Sequence, residues 1–171
     1  MELIDVIEKR VSVRKYSDSP LREEMIDHIL KVIQRAPSAG NLQAYQVYTV
    51  RDQLSRKKLV SAAGGQEFIA EAPVTFVFCA IPELSGIKYG ERGRNLYSIQ
   101  DATIACTFAM LAAVDNGLGS VWVGAFDVQA VQNVLGCRKD IVPIAMLSVG
   151  ISRETPGQSS RRKIEEINKF V

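Results

Sequence analysis

Residues 116–127 read NGLGSVWVGAFD, and the order of elements inside this stretch decides between two folds. Gly117, Leu118 and Gly119 follow an Ala-rich apolar segment with the pattern of a helix and open a run, SVWVG, with the pattern of a strand. A dinucleotide-binding α/β fold needs the opposite order, a glycine-rich turn that leaves a strand and starts a helix, so that phosphate meets the helix amino terminus. The alternation of strands and helices elsewhere would suit a parallel sheet, but the phosphate-binding turn is in the wrong place. GxxxxGK[ST] is absent too, which removes the standard nucleoside triphosphate loop.

Upstream, Tyr97 to Asn116 is apolar nearly all round, which predicts a central, heavily buried helix stopped by Gly117. Before it, VTFVFCAI lies between Pro73 and Pro82 and reads as a buried strand. The intervening residues 83–96 are polar and contain Gly86, Gly90 and Gly93, which predicts a loop able to lie over a site. Downstream come a helix over 127–135, with Asp127 as N-cap and Gly136 after it, and a strand over 142–149.

The first half of the chain is punctuated in the same way. Leu3, Ile4 and Ile7 recur at helical spacing, and the β-branched Val11 and Val13 end that helix near Arg10 and predict an extended segment after it. Ser19 is the predicted N-cap of a second helix, with Pro20 at its first position, a stripe of Leu21, Met25, Ile26, Ile29, Leu30 and Ile33, and a stop at Pro37. A strand from Tyr45 to Val50, a helix from Leu54 to Ala63 closed by Gly64 and Gly65, and a short apolar turn, QEFIAEA, lead to Pro73. Neither repeat nor linker interrupts the 171 residues, so a single domain over 1–171 is expected.

Composition narrows the function. Hydrophobic residues make up 47% of the chain, ample for a core, and a net charge of +2 from scattered charges is too small for a protein that coats nucleic acid. The amino terminus, MELIDVIEKR, does not read as a signal peptide, and the longest apolar run is short of the roughly 20 residues that span a bilayer, so no membrane association and a cytoplasmic location are expected. Cys79, Cys106 and Cys137 are odd in number and far apart, as buried reduced thiols would be. With His28 the only histidine and no CxxC, neither a zinc site nor a Ser/His/Asp or Cys/His hydrolase has the residues it needs.

Chemistry therefore has to come from elsewhere, and RVSVRKY (residues 10–16) is a candidate. In an extended chain Arg10, Ser12 and Arg14 share one face while Val11 and Val13 share the other. Two guanidinium forks and a hydroxyl suit phosphate oxygens, although a solvated basic edge would carry the same pattern. Arg161 and Arg162 form a second basic pair in the polar tail. Two charge-assisted contacts at roughly 1.5–3 kcal/mol each fall short of the roughly 8 kcal/mol of micromolar binding, so a phosphate ligand held here must also bury another part of itself. PSAGNLQ (37–43) offers Ser38 and Asn41 beside small residues that admit a flat ring, and VGAF (123–126) offers backbone N–H groups; an ordinary turn and an ordinary connection are the plainer readings of each. In YGERGR (89–94), Glu91 between cations predicts loop-stabilising ion pairs.

Taken in chain order, RVSVRKY, APSAGNLQ, the buried helix ending NGLGSVWVGAFD, IVPIAMLSVG and SSRRKIEEI resemble the nitroreductase family of FMN-dependent oxidoreductases, and GERGRNLYSIQD resembles its compact members. The resemblance implies an α+β fold, a central mostly antiparallel sheet flanked by helices, in an intertwined homodimer with two FMN molecules at the subunit interface. It implies that Arg10, Ser12 and Arg14 hold the FMN phosphate and ribityl chain, that Arg161 closes on the phosphate with Arg162 nearby, and that Pro37, Ser38 and Asn41 approach the flavin from the other subunit. Gly124 and Ala125 would present backbone near the ring and Gln66 would contact its polar edge. No side chain is catalytic on this reading, because the cofactor carries the chemistry: hydride passes from NADH or NADPH to flavin N5 and then to a nitroaromatic, quinone or similar small acceptor by a ping-pong cycle.

Two alternatives accompany it, a specialised flavin-destroying or reductive dehalogenating enzyme of the same superfamily and a non-enzymatic FMN-binding protein. The sequence also departs from the family pattern. Larger members carry a Lys where QEFIAEA has no cation, Ala44 and Tyr45 stand where many members have Pro-Trp, and the 83–96 segment lacks a longer helical excursion.

Overall fold

The computed structural model describes Met1–Val171. Its sheet has four antiparallel strands, β1 (Tyr45–Val50), β2 (Val74–Ala80), β3 (Gly119–Val123) and β4 (Val142–Gly150), in the spatial order β1-β2-β4-β3. Around it lie α1 (Leu3–Lys9), α2 (Glu23–Ile33), α3 (Gln53–Ala62), α4 (Phe68–Glu71), α5 (Pro82–Arg92), α6 (Ser98–Asp115), α7 (Val128–Leu135) and α8 (Ile164–Ile167). This is the α+β architecture, with an antiparallel sheet flanked by helices, that the family resemblance implies.

The pleat of β2 explains its unbroken apolar run. Phe76 and Phe78 point to one face, where Ile26, Ile29 and Ile33 of α2 and Ala105 and Ala109 of α6 meet them; Val77 and Cys79 point to the other, against Leu59 and Val60 of α3 and Val131 of α7. Every residue of β2 is buried, so no polar alternation is possible. On α6 the positions facing the sheet are Ala102, Ala105, Ala109, Ala112 and Ala113, small enough to bring the helix axis close. By length and composition the kinked helical stretch Pro82–Asp115 could cross a membrane, but the apolar face of α6 is used by the core.

The turn after α6 has its own logic. Gly117 adopts φ +73°, and the N–H groups of Gly117 and Leu118 donate to the carbonyls of Val114 (2.9 Å) and Ala113 (2.8 Å), which closes the helix. Gly119 serves packing: a Cβ there would lie 2.8 Å from the side chain of Val13. RVSVRKY thus runs beside the edge strand β3, with Ser12 bridging Ser120 in parallel and the Val13 N–H donating to the Ser120 carbonyl at 3.0 Å. Val13 is buried, Val11 only half so, and Tyr16 anchors the segment by donating its hydroxyl to the Val13 carbonyl at 2.6 Å.

Three expectations need correction. α2 starts at Glu23 with Arg22 before it, and Ser19 caps nothing; its hydroxyl meets that of Ser17 at 2.9 Å, and the chain stays extended while Leu21 enters the core. QEFIAEA contains a helical turn, α4, whose end is held by Arg56 of α3 donating to the carbonyls of Ala70 and Ala72. Residues 83–96 form a helix, α5, kinked at Gly90 and joined to α6 by a π-helical turn over Gly93–Tyr97. Within it Arg94 pairs with Glu83 (3.0 Å) and Glu91 (3.3 Å), the ion pairing expected for Glu91.

Candidate functional site

The strands place the predicted residues in three groups. In the first, Arg10, Ser12 and Arg14 from the β3 edge and Pro156 to Ser159 and Arg161 from the tail enclose a cavity of about 130 Å³. Glu154 is not among its walls; its carboxylate accepts the backbone N–H groups of Arg14 (2.5 Å) and Lys15 (3.2 Å). None of the three arginines is in an ion pair; Arg161 donates only to the carbonyls of Ser159 and Ser160. Three guanidinium groups around so small a volume repel one another unless an anion joins them. Arg162 turns the other way, to Glu166 at 3.2 Å.

The second group adjoins the first through a residue that sequence reasoning missed. The Arg14 guanidinium lies 5.9 Å from the centre of the Phe68 ring, and two residues before Phe68 the Gln66 amide donates to the carbonyls of Ala63 (3.0 Å) and Ala125 (3.4 Å). The Asp127 N–H donates to the Ala62 carbonyl at 2.9 Å, so the end of α3 and the loop after β3 are tied together. Gly124 and Ala125 are exposed beside Gln66. From the arginine cavity, Arg14, Phe68, Gln66 and Ala125 thus follow one another as neighbours toward an open stretch of backbone.

Pro37, Ser38 and Asn41, the third group, are not brought to that row of neighbours. They precede β1, at the far edge of the sheet, three strand spacings or roughly 14 Å across from β3. Their loop is held by Asp101 of α6, a buried carboxylate accepting the N–H groups of Ala39 (2.9 Å) and Ala44 (3.3 Å). The Ser38 hydroxyl accepts the Gln43 N–H at 2.9 Å, while Asn41 and Gln43 take φ +57° and +50°. With Tyr97 and Ile104, Pro37 and Ser38 line a second cavity, of about 460 Å³. Asp101 and Tyr97 were invisible as site residues because helical periodicity assigns both to a core element.

The thiols offer no nucleophile. Cys79 and Cys106 are buried, and desolvation pushes the Cys79 thiol up to about 12 and that of Cys106 well above its ordinary value. Cys137, half-buried, is raised by the same cause.

The chain is similar to known proteins in sequence and in fold. The model of the Nitroreductase family matches residues 7–66 and 55–151. FMN reductase [NAD(P)H] of Bacillus subtilis is 33% identical over 181 residues, covering 98% of this chain and 72% of that protein. Among solved structures, B. megaterium NfrA2 superposes with a TM-score of 0.92 at 27% identity, over 99% of this chain and 74% of that one. The hypothetical oxidoreductase YcnD from Bacillus subtilis gives 0.91 at 31% identity, over 98% and 73%. Fold, ordered motifs and sequence identity agree: the chain belongs to the nitroreductase family.

Proposed function

We propose that this protein is an FMN-dependent oxidoreductase that uses NADH or NADPH to reduce a small acceptor such as a nitroaromatic or a quinone. The observation that carries the reading is the cavity bounded by Arg10, Ser12, Arg14 and Arg161, a set of donors with no carboxylate among its walls. Its donor chemistry fits a phosphate monoester, and the Phe68 ring beside Arg14, followed by Gln66 and Ala125, suits a ligand that continues as a planar ring. FMN, when bound, supplies the two-electron chemistry that a chain without a catalytic triad lacks.

The chain's own residues have distinct tasks in this proposal. Arg10, Ser12, Arg14 and Arg161 fix the phosphate, while Arg162, paired with Glu166, orders the tail that carries Arg161. Gln66, Gly124 and Ala125 face the polar and reactive edges of the ring, where donors stabilise negative charge on the reduced cofactor. Pro37, Ser38 and Asn41 act on the flavin of a second subunit, since their own lie across the sheet from the arginines.

A homodimer is part of the proposal. Leu3, Ile4 and Ile7 of α1 and Ile164, Ile167 and Phe170 of the tail are exposed, and Ile104, Phe108 and Leu111 of α6 are only half-buried. The accessible surface of 9818 Å² compares with about 8,300 Å² expected of a compact 18.8 kDa monomer, an excess of about 1,500 Å², roughly twice one partner's share of a standard interface. FMN titration tests the reading: a visible flavin spectrum that shifts on binding and a higher melting temperature support it, and no change in either overturns it.

One observation favours a second reading, a flavin binder without turnover. The position near Ala125 that would tune the ring is Gln66, a neutral amide whose N–H groups are already engaged. Anaerobic addition of NADH and NADPH decides: bleaching of the visible flavin band by either donor excludes the pure binder.

A further inference from the structure

α5 and the turn after it carry three cations and two acids, and the pairing is uneven. Arg94 takes both Glu83 and Glu91, and Asn95 shares Glu91 at 3.2 Å, which leaves Lys88 and Arg92 without a carboxylate. Each of these two lies over an aromatic ring, Lys88 Nζ 5.3 Å from the centre of Tyr89 and the Arg92 guanidinium 5.4 Å from that of Tyr97. The two rings meet edge to face at 5.1 Å. Arg92 Nε donates to the Tyr97 hydroxyl at 2.9 Å, which holds the ladder in one arrangement.

The ladder is seated on the Pro37–Asn41 loop. A Cβ added to Gly40 would lie 2.4 Å from the Tyr89 hydroxyl and 2.8 Å from Lys88 Nζ, and Tyr97 walls the same cavity as Pro37 and Ser38. Two unpaired cations interleaved with two rings therefore border the loop assigned above to the face of the partner's flavin. A flat base can stack on a half-buried tyrosine, and a phosphate monoester, carrying nearly two charges at neutral pH, suits two cations without carboxylate partners better than a diester with one.

We propose that Lys88, Tyr89, Arg92 and Tyr97 form the adenosine 2′-phosphate subsite of the electron donor, so that the enzyme selects NADPH over NADH. The inference rests on the flavoenzyme reading and adds to it a donor preference and the residues that set it. Lys88 and Arg92 are specificity residues; the flavin and its phosphate are held elsewhere, by the β3 edge and the tail.

Calorimetry on FMN-loaded protein with adenosine 2′,5′-bisphosphate and with 5′-AMP, in the wild type and in a Lys88→Ala/Arg92→Ala double variant, tests this, together with kcat/KM for both donors. The bisphosphate should bind the wild type more tightly, and the double variant should lose about tenfold or more in bisphosphate affinity and in kcat/KM for NADPH, with 5′-AMP and NADH changed less than about threefold. A wild type that prefers NADH, an equal loss for both donors, or bisphosphate binding that survives the double substitution overturns the proposal. A protein that binds no FMN at all instead refutes the flavoenzyme reading, a result separable from these.

Discussion

Asp101 receives the Ala39 N–H at 2.9 Å, so a buried carboxylate of the central helix fixes the shape of the loop that precedes β1. Its other oxygen takes the Ala44 N–H at 3.3 Å, clamping the loop at both ends. Asp101→Asn replaces one acceptor with a donor facing an N–H. The expected cost is about 2 kcal/mol of stability, with faster hydrogen exchange at Ala39 and Ala44. Thermal melts and amide exchange check it; unchanged exchange at both amides would show that the loop holds its shape without the carboxylate.

Gly40 combines a φ of +55° with the close approach of Tyr89. In Gly40→Ala the left-handed backbone alone costs about 1 kcal/mol, and the methyl group must displace the Tyr89 hydroxyl. A lower melting temperature and altered tyrosine fluorescence are expected, and because this loop is assigned to the partner's flavin, FMN affinity should fall as well while the arginine cavity at the far edge keeps its shape.

Arg14→Ala separates anion recognition from folding. FMN affinity should fall about tenfold to a hundredfold, whereas riboflavin, which lacks the phosphate, should bind nearly as before. Equal losses for the two ligands would place the defect in the fold, for instance in the contact of Arg14 with Phe68.

Alkaline pH should destabilise the protein. Burial raises Tyr16, Tyr45, Tyr48, Cys106 and Cys137 and pushes Cys79 up to about 12, so the unfolded chain releases protons at a pH where the folded chain retains them. With fewer protons bound in the unfolded state, stability is intact below about pH 8 and falls as pH climbs through the region between the unfolded and folded values, first for the thiols and then for the tyrosines. Melting temperatures from pH 7 to 11 test the sign; a flat profile to pH 11 would contradict the burial of these groups.

How far the sequence foretold the fold depends on whether the local signal and the packing agree. β1 and α7, with its Asp127 cap accepting the Ala130 N–H at 2.8 Å, were legible because strand pattern and cap chemistry coincide with burial. The segment 83–96 misled because its glycines answer to space: a Cβ on Gly86 would meet Arg94 at 2.7 Å, and one on Gly93 would meet the Ser85 carbonyl at 2.4 Å. Composition cannot distinguish such a glycine from one in a loop. For the site, alternation put Arg10, Ser12 and Arg14 on one face, and all three line the cavity, though Val11 lines it too; the approach of Arg161, the clamp by Asp101 and the contact of Phe68 with Arg14 depend on distant segments that no local pattern encodes.

The visible spectrum of purified protein supplied with FMN, followed through anaerobic addition of NADPH, tests the central claim most directly. The account predicts a bound flavin whose visible band bleaches on donor addition and returns when a quinone is admitted. A protein that stays colourless with FMN present, or a bound flavin that neither NADPH nor NADH reduces, would contradict it.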